Sequence, residues 1–210
     1  MRLIEIALKR LDECVNEAME LTKKTVELSL QAIKEKEKEE KRTKVKEYVQ
    51  ELRRLNDEID ELALETIARF QPIASDLRKV KAYMELGYDL LRLGRYAYDA
   101  LAAFSRAEKM GIECETKRFD ELRPLVESMI NDALRSFKEL NTILAFKVIS
   151  KDDDVDEKYH SNLIDIMKNE QSVPCAVVEA LSIKFLERLA DHASHIAALT
   201  IFVVEGKMPE

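Results

Sequence analysis

The chain predicts an all-α fold built as two tandem three-helix bundles, six helices in all. Three observations carry that expectation. Glu, Lys, Leu and Ala dominate, the composition of long helices, and hydrophobic residues make up 46% of the 210 positions, ample for a core. There are only four glycines and four prolines, and residues 1–71 contain neither. The segment Tyr88-Asp89-Leu90-Leu91-Arg92-Leu93-Gly94-Arg95-Tyr96 aligns without a gap on a segment 96 positions later, Lys184 to His192. Leu90/Leu186, Arg92/Arg188, Leu93/Leu189 and Ala97/Ala193 carry that match, which marks an internal duplication.

Each element follows from periodicity and punctuation. Residues 3–33 place Ile4, Leu8, Leu11, Val15, Ala18, Val26 and Ile33 mostly three or four apart, the mark of an amphipathic first helix. From Lys34 to Glu47, 12 of 14 residues are charged, so this stretch reads as a solvated helix end and turn. Pairs such as Glu37 with Lys41 and Glu40 with Lys44 support helix there weakly. A second helix carries Val45, Leu52, Leu55, Ile59 and Leu62 and stops at Gln71-Pro72. A third begins at Pro72 or Ser75, with Asp76 in its first turn, and runs to Met110 before Gly111. Its expected stripe is Leu77, Val80, Met84, Leu91, Tyr98 and Leu101, with Gly87 and Gly94 allowing another helix to approach.

Residues 112–119 read as a linker between an N-terminal unit, 1–111, and a C-terminal unit, 120–210. A fourth helix is expected from Asp120 to Lys147, with Pro124 in its first turn and Leu140 and Leu144 on its core face. Ser150 to Asp154 reads as a turn and Val155 to Lys168 as a fifth helix. Gln171-Ser172-Val173-Pro174 breaks it, and a sixth runs from Cys175 to Val204. The order of helix, helix, proline turn and helix is thus stated twice.

Composition also excludes functions. A net charge of -7 argues against general nucleic-acid binding. No apolar run is long enough to span a bilayer, and Met1 leads into charged residues rather than a signal peptide. Cys14, Cys114 and Cys175 match no zinc spacing or disulfide framework, so reduced thiols in a cytoplasmic protein are expected. No Gly-x-Ser-x-Gly, no cysteine with a nearby histidine and no glycine-rich phosphate loop occurs. The chain therefore reads as non-catalytic.

The candidate chemistry lies in acids. Glu187 and Asp191 are four apart and project from one face of the sixth helix. Asp152 and Asp156 have the same spacing where the fifth helix begins. The short proline turn makes these helices antiparallel, and helical rise brings both pairs to comparable heights, within about two turns. Four converging carboxylates repel unless cations sit among them, and oxygen-only ligands suit magnesium, calcium, manganese or iron. His192 and His195 are candidate additional ligands. Against this, Asp152-Asp153-Asp154 also suits a helix start, and Glu187 and Arg188 also suit surface ion pairing. Glu157-x-x-His160 is a single Glu-x-x-His, where di-iron bundles need two.

Several blocks together resemble the PhoU phosphate-uptake regulators across essentially the whole chain. They are Ile59-Asp60-Glu61, Gln71-Pro72-Ile73-Ala74-Ser75-Asp76-Leu77-Arg78, and Glu187-Arg188-Leu189-Ala190-Asp191-His192 after Pro174. The resemblance implies two bundles related by a pseudo-twofold axis, a cytoplasmic location and a homodimer. It implies a restraint on phosphate uptake, acting with a phosphate-specific ABC transporter and a membrane sensor histidine kinase. Membrane association would come only through those partners. It also implies metal or iron binding by acid pairs, which fall on Asp152 with Asp156 and Glu187 with Asp191. In the first repeat the corresponding positions are Asn56 with Asp60 and Leu91 with Arg95. Leucine cannot ligate and arginine brings a fixed positive charge. An asymmetric protein is expected, with at most the C-terminal site metallated. That departure leaves open an accessory module of another transport system, and the acid cluster leaves open an iron storage or sensing protein.

Overall fold

The computed structural model describes residues 3–35, 38–168 and 172–209. The described residues form seven α-helices: α1 (Leu3–Ala32), α2 (Lys38–Phe70), α3 (Ala74–Lys109), α4 (Lys117–Glu139), α5 (Thr142–Ile149), α6 (Asp152–Lys168) and α7 (Val173–Glu205). Helices α1, α2 and α3 pack on one another as the first bundle; α4 with α5, α6 and α7 form the second. The expected Glu37–Lys41 pair and Gln171 involve positions outside the described residues.

The two bundles meet along α3 and α7, which lie antiparallel. Asp89 contacts His192, Tyr96 stacks on Phe185, and Lys81 sits over the Phe202 ring. These contacts reveal the pseudo-twofold axis. By the 96-residue alignment, Asp89 matches Phe185 and Tyr96 matches His192. Asp89–His192 and Phe185–Tyr96 are therefore one contact seen from the two repeats. Tyr96 and His192 also meet each other, with ring centroids 5.7 Å apart, so the axis passes between them. Leu86, Leu90, Leu93 and Ala97 of α3 and Leu186, Leu189, Ala190 and Ala193 of α7 are buried in the core of the molecule.

Three expectations about helices change. The fourth helix is not continuous: Leu140 adopts a left-handed conformation (φ 51°), and the Asn141 side chain accepts from Leu144 N at 3.0 Å. That N-cap starts α5 in a new direction. Leu140 is consequently exposed, and Ala145 and Val148 face the core instead. Helix α4 starts at Lys117, three residues early, so Pro124 falls in its interior rather than its first turn. Its missing N–H leaves the Asp120 carbonyl without the usual helical donor. On α3, Leu77 is exposed and Leu91 half-buried, because the stripe runs through Val80, Leu86, Leu90, Leu93 and Leu101.

The cysteine expectation is also overturned. Cys114 in the inter-repeat linker and Cys175 in the first turn of α7 form a disulfide, while Cys14 is a free, buried thiol. The two residues lie 61 apart in sequence, so spacing gave no hint that antiparallel packing of α3 and α7 brings them together.

Gly94 marks the tightest approach within the first bundle. A Cβ there would stand 2.5 Å from Leu52 Cδ1 and 3.6 Å from Thr25 Cγ2. Leu52 is itself buried, and its side chain must shift for a Cβ to fit. Gly94→Val is expected to cost about 2 kcal/mol in chemical denaturation, the usual scale of overpacking; an unchanged midpoint would contradict this packing.

Candidate metal centre

Helices α6 and α7 present the acids that their spacing selects. Asp156, Glu187 and Asp191 each offer a carboxylate oxygen, and these oxygens lie within 4.8 Å of one another. Asp152 stands one turn earlier on α6 and acts electrostatically on the same group. Asp156 is exposed, Asp191 half-buried and Glu187 buried, so the cluster opens to solvent on one side.

The electrostatics fit a cation. Burial, followed by the Glu187 charge, pushes the Asp191 carboxyl above the ordinary range; Arg188 opposes the shift. Burial likewise raises Asp152, with Asp191, Asp156 and Asp153 adding to it and the Ser194 hydroxyl opposing it. Asp152 Oδ1 and Glu187 Oε2 are buried and accept no direct hydrogen bond. Arg188 Nε stands 3.5 Å from Glu187 Oε2. Buried acceptors of this kind are costly unless something satisfies them. Lys184 donates to Glu187 at 2.6 Å and Arg188 to Asp191 at 3.0 Å, offsetting part of the negative charge from α7. The donor set is all oxygen, which suits a hard divalent ion or iron. Asp152 and its two acidic neighbours also occupy the first turn of α6, where negative charge complements the helix dipole. The two readings of Asp152 are compatible, since its carboxylate can serve both.

The histidines are placed elsewhere. His192 Nδ1 lies 2.8 Å from one oxygen of Asp89, and His195 Nδ1 lies 2.7 Å from the other. Both rings turn toward α3 and the bundle seam, because they follow Asp191 by one and four residues on a helix packed on two sides. They partner a carboxylate that is 2% exposed, and the group of Asp156, Glu187 and Asp191 does not include them. This buried Asp89 was missed from sequence. The available signal was an acid within an otherwise leucine-rich helix, one repeat away from two histidines. Hydrogen bonding to Asp89 raises His195 above its usual range, against the opposing effect of burial.

Among the described residues, the first repeat shows no equivalent group of acids. Arg95 is exposed, and its charge acts on Asp99 of its own helix. Asp60 is raised by burial and by Asp57. Asn56 Oδ1 is buried without a hydrogen-bond partner and packs close to Gly87. Arg92, the counterpart of Arg188, turns onto the rings of Tyr88 and Tyr96 instead of an acid, 4.5 Å from the Tyr96 centroid.

Fold and site together define a duplicated helical-bundle protein whose described residues bring acids together in the C-terminal half. The PhoU domain model matches the chain twice, at residues 15–103 and 119–200. The chain belongs to the PhoU family. It is 32% identical over 158 residues to a phosphate-specific transport system accessory protein PhoU homolog from Clostridium acetobutylicum, covering 73% of this chain and 72% of the relative. It is 30% identical over 213 residues to PhoU homolog 1 from Methanothermobacter thermautotrophicus, covering 96% and 94%. The crystal structure of PhoU from Pseudomonas aeruginosa superposes with a TM-score of 0.90 at 24% identity, covering 97% of this chain and 99% of that one. That likeness shows the fold alone.

An acid whose folded-state value is raised holds its proton to higher pH in the native state than in the unfolded chain. The native state gains below that folded value and loses the gain as pH rises through it. Asp191→Asn removes the penalty. In metal-free protein the variant is expected to melt above the parent at pH 7, with the difference vanishing as pH falls toward about 4. A constant difference across that range would show that Asp191 is not under strain from its neighbours. Asp89→Ala removes the acceptor of both histidines and is expected to cost about 2 kcal/mol by denaturant titration.

Proposed function

We propose that this protein is a non-catalytic regulator of phosphate uptake. In this reading it restrains a phosphate-specific ABC transporter and the signalling of its sensor histidine kinase. It works from the cytoplasm as a homodimer, and reaches the membrane only through those partners. The observation that carries the reading is the match of both repeats to one family whose named relatives are phosphate-transport accessory proteins. Two features are consistent with it: none of the described helices is long and apolar enough to cross a membrane, and the sequence lacks a nucleophile–base motif. Deleting the gene is expected to make phosphate uptake constitutive, measured with labelled phosphate in rich and starved medium. An unchanged uptake profile would reject the regulator and favour an accessory module of another transport system.

Within this role we propose that Asp152, Asp156, Glu187 and Asp191 hold one divalent or iron ion. Glu187 and Asp191 supply oxygens from α7, and Asp156, supported by Asp152, closes the site from α6. The ion would satisfy the buried Glu187 and Asp152 oxygens and hold the two helices together. The degenerate positions Asn56, Asp60, Leu91 and Arg95 leave the first repeat without a site. The acidic centre also supports a second reading, an iron storage or sensing protein. Elemental analysis of protein purified without chelators is expected to find about one metal per chain. Asp156→Asn and Glu187→Gln are each expected to lower that occupancy at least tenfold. Finding no metal in the parent would reject both the site and the iron-storage reading, and would leave the regulator standing.

A further inference from the structure

We infer that Cys114 and Cys175 form a reversible redox site that takes a low-molecular-weight thiol as its reductant and staples the inter-repeat linker to α7 when oxidised. The inference is independent of the phosphate and metal readings. The bond spans the end of the α3–α7 seam. It joins the linker ahead of α4 to the first turn of α7, closing α4, α5 and α6 into one covalent loop.

Four observations favour a reversible bond over a permanent one. A continuous apolar core already runs through both repeats. Small disulfide-dependent domains lack such a core. Both cysteines are partly exposed, and both lie at element edges, with Cys114 packed against the rim of the core. The linker there, residues 112–116, is irregular, so the two thiols can separate without displacing a helix. An open groove of about 720 Å³, lined by Ile33, Lys38, Phe104, Ile112, Cys114 and Lys117 among others, gives a small thiol access to the Cys114 side of the bond.

The chemistry balances as ordinary exchange. A reductant thiolate attacks Cys114 Sγ, the protein S–S bond breaks, and a mixed disulfide forms on Cys114. Cys175 leaves as the thiolate, which the N-terminus of α7 stabilises, and then takes a proton. A second reductant thiol releases Cys114 as a thiol and departs in the low-molecular-weight disulfide. Two electrons pass from the two thiols to the protein bond; an oxidised thiol of the same class reverses the step. Cys14 takes no part, because burial pushes its thiol up to about 11 and only 7% of it is exposed.

The test equilibrates the full-length protein in glutathione buffers from fully reduced to fully oxidised. It then quenches, alkylates and weighs the chain, and records thermal midpoints. Cys114 and Cys175 are expected to interconvert together between two alkylated thiols and one bond, with Cys14 reacting only after denaturation. The oxidised form should melt about 5 °C or more above the reduced form, the scale a closed loop of this length gives. Cys114→Ser and Cys175→Ser should each melt at one temperature in both buffers. The inference is overturned by any of four results: a bond that survives the reduced buffer in native protein, a bond that never forms in the oxidised one, glutathione carried separately on each cysteine, or a midpoint that ignores the redox state.

Discussion

The antiparallel packing of α3 on α7 is the constraint on which the other features rest. It joins the two bundles, positions the pseudo-twofold axis at Tyr96 and His192, and buries Asp89 where it accepts from two histidines. The same seam brings Cys114 to Cys175 at one end and places Gly206 against Arg78 at the other. A second ionic contact ties the C-terminal bundle internally. Arg118 at the start of α4 reaches Glu179 of α7 at 2.6 Å and Asp165 of α6 at 2.8 Å, with Glu179 almost wholly buried. Removing one member of such a pair leaves an uncompensated buried charge, a larger loss than that of a surface pair.

Duplication supplied one scaffold, and substitution at a few positions on it divided the labour. Arg92 and Arg188 are the same residue in the two repeats. The first lies on aromatic rings and stabilises the seam, while the second pairs with Asp191 and tempers the acidic centre. Asp99 and His195 also correspond, and only the histidine reaches across to Asp89. The two halves share Leu90/Leu186, Leu93/Leu189 and Ala97/Ala193 in the core of α3 and α7, but other buried pairs differ, such as Leu86 with Ser182 and Leu101 with Ala197.

Much of this was legible in the sequence, for identifiable reasons. Long periodic segments without glycine or proline gave the helices, and the proline turns gave the chain reversals. Four-residue spacing on two antiparallel helices was enough to bring Asp156, Glu187 and Asp191 together, because helical geometry fixes both the face and the height. What escaped depends on contacts between elements or on a single cap. Asn141 competes with helix continuation through its own side chain, a local effect hidden beneath an unbroken apolar pattern. The roles of His192, His195, Cys114 and Cys175 are set by which helix lies opposite, and residue spacing along one chain does not encode that.

Arg95 and Asp191 stand at matching positions, one a fixed cation and the other an anion. Two identical bundles around a twofold axis would offer any docking surface twice, in opposite orientations. With opposite charges at these positions, the molecule has distinguishable halves. A surface that selects for negative charge would tell the two halves apart and seat on the molecule in one direction only. The duplicated fold therefore behaves as a polar object, with a head and a tail.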